Sequence, residues 1–251
     1  MILSTNHGSV RELRLNRPPV NALNLELVTA LRQAVEAAPQ VGVRALVLSG
    51  APGRFSAGLD VPLLLDLDRV AMTALWREFY ALLKALAVSP IPIVAAITGH
   101  APAGGTVLPL FCDWRVGADG EFKLGLSEVQ VGIILPPMIL AALRRQVGPR
   151  QAERLAVTGA LISPQEAWKV GLLDEVVAAE RVVERAVEWC QALLAFPAEA
   201  MAVTRRNARA DLVALCADFE AEIEAVTEGW WSPQTQQSLR KMVDRLKKKS
   251  S

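Results

Sequence analysis

Residues 99–132 read GHAPAGGTVLPLFCDWRVGADGEFKLGLSEVQVG, and the order of residue types in them constrains the fold more than any other part of the chain. A loop of small residues, Ala101-Pro102-Ala103-Gly104-Gly105, opens an apolar run that stops at Cys112-Asp113. A strand-like piece follows, then a single carboxylate, Glu128, between Ser127 and Val129, with Val131 beyond. A glycine pair between a strand and a helix lets the backbone approach a ligand closely and leaves helix N-terminal N–H groups pointing outward. Such groups hold a negative oxygen that develops during a reaction. A carboxylate in apolar company has a raised pKa and acts as a base near neutral pH. The two together point to proton abstraction next to a carbonyl. Each also has a plainer reading: Gly104-Gly105 as a turn and packing device, Glu128 as a solvated turn residue.

Outward from this stretch, residues 91–98 (IPIVAAIT) form an almost continuous apolar run, the pattern of a strand buried on both faces. Residues 44–49 (RALVLS) repeat it and end in the turn cluster Gly50-Ala51-Pro52-Gly53. A second small-residue loop, Phe55-Ser56-Ala57-Gly58-Leu59-Asp60, comes next. Residues 10–15 alternate apolar and charged side chains, as a half-buried strand does. Helical spacing extends over 22–37, where Leu23, Leu27, Leu31 and Val35 share a face, and over 67–87. Residues 121–124 and 173–177 read as strands, and 137–147, 150–158 and 164–169 as helices. From residue 179 the chain reads as helical, over 179–195, 197–207, 212–228 and 235–248. Two strands that each end in a small-residue loop followed by a helix give an α/β fold, with ligands placed beyond the strands' carboxyl ends.

The 251 residues are 52% hydrophobic with a formal net charge of +1, enough for one large core with or without a helical appendage. The charge gives no pointer to a nucleic-acid or anionic-membrane partner. Only the C-terminus is strongly basic, with Arg245, Lys247, Lys248 and Lys249. Cys112, Cys190 and Cys216 are too few and scattered for a disulfide frame and read as reduced, buried thiols. No signal or transit pattern opens the chain, no apolar run approaches the ~18 residues of a membrane span, and Ser250-Ser251 is not a Ser-Lys-Leu address. The expected location is the cytoplasm. No phosphate loop, dinucleotide fingerprint or serine elbow is present. His7 and His100 are far apart and no cysteine pair has zinc spacing, so no metal site is expected. His100, beside the glycine loop, is either a second acid–base group or a spacer.

Four motifs in order carry a resemblance: Phe55-Ser56-Ala57-Gly58-Leu59-Asp60; Gly99-His100-Ala101-Pro102-Ala103-Gly104-Gly105; Cys112-Asp113; and Leu126-Ser127-Glu128-Val129-Gln130-Val131-Gly132. With Leu15-Asn16-Arg17-Pro18 before them and Ala167, Val170, Gly171, Leu172 and Val176 after, they resemble the crotonase (enoyl-CoA hydratase/isomerase) superfamily over about residues 15–177. The resemblance implies a spiral of strand–strand–helix repeats over residues 1–190 and a helical, trimer-forming part over 191–251. It implies an acyl-CoA thioester as substrate, with coenzyme A belonging to that substrate and no separate cofactor. The oxyanion donors would be the N–H groups of Leu59 and Gly104. Ala57, Gly58, Leu59, Asp60, Val61 and Gly104 would line the thioester arm, and Glu128 would be the catalytic carboxylate.

Hydratases of the superfamily carry a second glutamate three residues after the Gly104 position, where this chain has Val107. Hydration needs a placed water and proton delivery to carbon, whereas a double-bond shift needs only one base. The pattern is most similar to mitochondrial-type Δ3,Δ2-enoyl-CoA isomerases, which implies conversion of 3-enoyl-CoA to 2-trans-enoyl-CoA in fatty-acid β-oxidation. The competing readings are another crotonase reaction (hydration, thioester hydrolysis or decarboxylation) and a non-catalytic acyl-CoA-binding protein. The apolar tail residues Leu212, Leu215, Phe219, Ile223 and Val226, with Trp230-Trp231, are expected to pack partly on a neighbouring subunit in a homotrimer or dimer of trimers. The basic C-terminal turn is a candidate contact for the CoA phosphates, or a solvated tail.

Overall fold

A computed structural model of the chain describes residues 1–250; the side chains of Leu246, Lys249 and Ser250 and all of Ser251 lie outside the described residues, and with them Lys249's part in the basic turn. β1 (Ile2–His7) and β2 (Val10–Leu15) form an antiparallel pair, followed by α1 (Leu25–Ala37). Three strand–strand–helix turns come next. The first is β3 (Ala45–Ser49), β4 (Gly53–Arg54), then α2 (Val61–Leu64) and α3 (Arg69–Val88). The second is β5 (Ile93–Ile97), β6 (Gly99–Pro102) and α4 (Gly104–Leu110). The third is β7 (Trp114–Ala118), β8 (Leu124–Gly125) and α5 (Pro137–Thr158). Each turn places its first strand in a six-stranded sheet, β1-β2-β3-β5-β7-β9, and its second in a three-stranded sheet, β4-β6-β8. Here β9 is Glu175–Val177, after α6 (Pro164–Lys169). All pairings but β1–β2 are parallel, so successive turns stack as a spiral, the α/β architecture that the motifs imply.

The central strands of the large sheet are buried on both faces. Leu13, Leu46, Leu48, Ile93 and Ala95 join the main core with Leu27, Leu31, Leu75 and Phe79 of α1 and α3. Val10, Ala45, Val47, Val94, Ala96 and Val116 face the other way, onto Val182, Ala186 and Cys190 of α7 (Val182–Leu194). A strand covered on both sides has no reason to alternate, which explains the unbroken apolar runs. Burying each such Leu or Val side chain contributes roughly 1.5–3 kcal/mol.

Several boundaries differ from the sequence reading. The first helix begins at Leu25, because the Asn24 side chain caps it by accepting the Leu27 N–H at 3.0 Å; Leu23 is extended. The strand expected at 121–124 is only Leu124–Gly125. The helix expected at 212–228 is two, α9 (Ala210–Leu215) and α10 (Glu220–Trp230), with the Asp218 carboxylate accepting the Glu220 N–H between them. Before them lies α8 (Ala198–Ala208), and α11 (Pro233–Ser250) follows. A non-helical Gly148 (φ 75°) divides α5 where two helices are expected.

The tail folds back on its own chain. Leu212, Ile223 and Trp230 are fully or almost fully buried in the main core, and Leu215, Phe219, Val226 and Trp231 pack against it. These residues therefore do not supply the free apolar surface on which the expectation of an intersubunit contact rested. Among the described residues, no helix is long and apolar enough to cross a membrane.

Candidate active site

The first loop is held by residues 20–24. The Ser56 hydroxyl donates to the Asn21 carbonyl at 2.8 Å, and the Asn21 amide donates to the Phe55 carbonyl at 3.1 Å. Leu23 forms a parallel bridge with Leu59: its N–H donates to the Gly58 carbonyl at 2.7 Å, and its carbonyl accepts the Asp60 N–H at 3.0 Å. The loop's other amides are thereby used, Ala57 on the Val20 carbonyl and Gly58 on the Ser56 hydroxyl. Among the described residues none accepts the N–H of Leu59.

The second loop ends β6. Ala103 has φ 51° and ψ −124°, a conformation that costs a non-glycine residue about 1–3 kcal/mol. That twist starts α4, with the Ala103 carbonyl accepting the N–H groups of Thr106 at 2.8 Å and Val107 at 3.0 Å. The Gly104 N–H has no acceptor among the described residues. The two loops meet closely: a Cβ at Gly58 would lie 2.9 Å from the Gly104 nitrogen, and one at Gly104 would lie 3.6 Å from the Leu59 nitrogen. Glycine at both positions is a condition of bringing two unpaired N–H groups side by side.

Glu128 opens a short 3-10 turn, Glu128–Val131, three residues after β8. The turn is pinned from two sides: the Gln130 amide donates to the Gly159 carbonyl at 2.8 Å, and the Thr235 hydroxyl of α11 donates to the Gly132 carbonyl at 2.7 Å. The residue is half-buried, yet its Oε2 is out of solvent contact without a hydrogen-bond partner, and burial pushes the carboxyl up to about 7. That is the range in which a carboxylate exchanges protons with a carbon acid near neutral pH.

A cavity of about 530 Å³ brings these parts together, walled by Ala57, Leu59, Asp60, Val61, Gly104 and Glu128. Gly58 stands behind the wall, against Gly104. Val107 lines the same cavity and is buried. Asp60, the other carboxylate of the wall, is paired with Arg17 at 2.6 Å. A second apolar cavity of about 270 Å³ shares the walls Trp76, Ile133, Ile134, Pro136 and Val226 and reaches Ala225 and Gly229 of α10. His100 is elsewhere: it is exposed on β6, its Nδ1 accepts the Lys123 N–H, and its ring meets Phe122 edge-on. The sequence reading missed the remote walls, Trp76 and Phe79 of α3, Ile139 of α5, Val226 of α10 and Met242 of α11. Their apolar spacing marks them only as helix faces, and nothing in the order of residues says that those faces roof a cavity.

The model of the enoyl-CoA hydratase/isomerase family matches residues 5–249. The mouse protein "Enoyl-CoA delta isomerase 1, mitochondrial" is 35% identical over 96% of this chain and 85% of its own length. "Probable enoyl-CoA hydratase EchA17" of Mycobacterium tuberculosis H37Rv is 36% identical over 77% of this chain and 74% of its own. The crystal structure of human mitochondrial delta3-delta2-enoyl-CoA isomerase superposes with a TM-score of 0.94 at 32% identity, covering 100% of this chain and 99% of that one. A family match over nearly the whole chain, with relatives above 30% identity, makes the chain a member of the enoyl-CoA hydratase/isomerase family.

Proposed function

We propose that the chain is a Δ3,Δ2-enoyl-CoA isomerase acting on 3-enoyl-CoA thioesters in fatty-acid β-oxidation. The observation that carries this reading is the carboxylate inventory of the cavity wall: Asp60 is neutralised by Arg17, and Glu128 is the free base, with the apolar Val107 across the same cavity. The substrate carbonyl sits against the N–H groups of Leu59 and Gly104. Glu128 removes a proton from C2, the dienolate oxygen is held by the two N–H groups, and Glu128 returns the proton at C4. Loss of one such donor typically costs ~10²–10³ in rate. The apolar walls restrict water, which favours proton return over addition of water. Coenzyme A enters as part of the substrate.

The test is a 3-enoyl-CoA substrate followed by the absorbance of the conjugated 2-enoyl thioester. Growth of that band, lost in Glu128→Gln while hexanoyl-CoA still binds, supports the reading. Disappearance of the band from supplied 2-trans-enoyl-CoA favours hydration, the reading to which the similarity with mycobacterial proteins named as probable hydratases lends weight. Binding without chemistry would leave an acyl-CoA-binding protein.

The proposal extends to assembly and location. Val157, Trp168 and Phe196 expose large apolar surfaces that a homotrimer or dimer of trimers would cover. Light scattering at micromolar concentration tests this, and a monomeric mass sinks it. A cytoplasmic location is consistent with three free, buried cysteines, although the mouse relative is named as mitochondrial.

A further inference from the structure

Thr106 is the one polar side chain in the apolar run that follows the glycine pair, and it is buried. Its hydroxyl donates to the Ala101 carbonyl of β6 and accepts the Gly125 N–H of β8 at 2.8 Å. The Gly125 carbonyl is taken in turn by the Ala103 N–H at 2.8 Å. Gly125 is thus gripped on both sides by the segment that begins α4. It has no freedom on its far side, since a Cβ there would lie 2.2 Å from the Ala160 carbonyl oxygen. Two residues before Thr106 is Gly104, which lines the cavity; three residues after Gly125 is Glu128. One hydroxyl therefore ties the strand that delivers the carboxylate to the helix turn that delivers the N–H group.

We propose that the Thr106 hydroxyl is a positioning group that sets the Glu128 carboxylate against the Gly104 N–H. It touches no substrate atom. Without it, the backbone bonds of Ala101 N–H to the Lys123 carbonyl and Ala103 N–H to the Gly125 carbonyl still hold β6 beside β8, but the side-chain tie from inside α4 to the Gly125 N–H is lost. The reacting carbon must lie within reach of the base while its carbonyl lies on the N–H pair, so a shift of about 1 Å between the two costs on the order of 10²-fold in rate. The kinetic part of this inference rests on the isomerase reading above; the spectroscopic part does not.

The experiment compares the parent enzyme with Thr106→Val, which keeps shape and removes both hydrogen bonds, and Thr106→Ser, which keeps both bonds and removes the methyl. Glu128→Gln is the control. With 3-hexenoyl-CoA, kcat of Thr106→Val falls about 10- to 100-fold with KM within about threefold, and Thr106→Ser stays within about threefold of the parent. Independently, the infrared thioester stretch of ¹³C-labelled hexanoyl-CoA is lowered on binding to the parent, to Glu128→Gln and to Thr106→Ser, and returns toward the free value in Thr106→Val. Should Thr106→Val be insoluble, Thr106→Cys takes its place with a far weaker donor and acceptor. A melting temperature lowered in Thr106→Val with kcat and carbonyl stretch unchanged would make Thr106 merely structural and overturn the proposal. So would a Thr106→Ser variant as impaired as Thr106→Val, or a parent in which the carbonyl stretch does not move. If the parent does not isomerise, the isomerase reading fails, and the carbonyl stretch alone decides for or against Thr106.

Discussion

The Arg17 guanidinium lies 2.6 Å from the Asp60 carboxylate, and it also donates to the Ala22 carbonyl at 3.0 Å. One side chain thereby neutralises a carboxylate of the cavity wall and holds the extended segment that carries Leu23. Removing it leaves the Asp60 carboxylate without its cation at the wall of an apolar cavity. For Arg17→Met the expected loss is about 1–3 kcal/mol, below the range for fully buried pairs because both groups keep some solvent. Titration with hexanoyl-CoA should show affinity down about tenfold. Asp60→Asn in the same background should recover most of it, and additive losses in the double variant would refute the coupling.

Gly58 is tested by the smallest possible addition. Its φ is 79°, and a Cβ would meet the Gly104 nitrogen at 2.9 Å and the Ala103 Cβ at 3.1 Å. Gly58→Ala therefore adds left-handed strain and forces apart the two N–H groups it sits between. The expected result is a stability loss of about 1–3 kcal/mol in thermal melts and a fall in kcat on the order of 10²-fold. An active, fully stable Gly58→Ala protein would remove the oxyanion role from this loop pair.

The raised Glu128 carboxyl gives opposite signs for activity and stability. As a base it must be ionised, so kcat/KM should rise with pH through about 7 and level off above it. For stability, a carboxyl raised by folding keeps its proton between about 4.5 and about 7, where the unfolded chain has lost its own. Stability therefore falls as pH rises across that window, by at most about 3 kcal/mol before allowance for partial exposure. Denaturant melts of Glu128→Gln should lack this slope and match or exceed the parent above pH 7. An identical slope in both proteins would assign it to another group.

The second cavity makes a prediction about acyl length. It continues the first along Trp76 and Val226 and ends among small residues, Ala221, Ala225 and Gly229. Ala225→Phe fills it. Each buried methylene is worth about 0.8 kcal/mol, so excluding three or four of them should lower kcat/KM for 3-dodecenoyl-CoA by about 10²-fold. The value for 3-hexenoyl-CoA should stay within a few-fold. An equal loss for both lengths would mean that α10 is distorted and that the cavity does not house the chain's end.

The α/β alternation is legible in the sequence because its causes are local, while its winding into a spiral is what the resemblance implies. Unbroken apolar runs mark strands covered on both faces, and small-residue loops mark where each strand hands over to a helix. Gly104-Gly105 and Glu128 stand out for the same local reason, whereas Leu59 and Gly104 as the two donors are named by the resemblance of the ordered motifs. What could not be read depends on the return of distant segments. Leu23 has helix spacing with Leu27 and Leu31, yet Asn24 caps the helix and frees Leu23 to bridge Leu59. Val226 reads as part of a face for a neighbouring subunit, and the chain folds it over its own cavity. Thr106 reads as a neutral residue in an apolar run, and its hydroxyl acquires a task only when β8 is laid beside it.

Val107 is buried in the wall shared with Glu128, where the resemblance places a second glutamate in hydratases. A valine side chain holds no water and donates no proton, so under the proposed isomerase reading Glu128 is the carboxyl that returns the proton. Val107→Glu introduces an acid–base group without the partners that would orient it. It should cost on the order of 1–3 kcal/mol of stability, the penalty of an unsatisfied buried polar group. Weak hydration of 2-trans-enoyl-CoA should appear, well short of a dedicated hydratase, because the surrounding residues do not hold the new carboxylate in one rotamer. Product analysis by chromatography separates 3-hydroxyacyl-CoA from 2-enoyl-CoA and reads both reactions in one assay. Fast hydration by the parent protein would show that Val107 does not decide the outcome. An isomerase rate unchanged in Val107→Glu, with no hydroxyacyl product, would show that the side chain at this position never meets the reacting carbon.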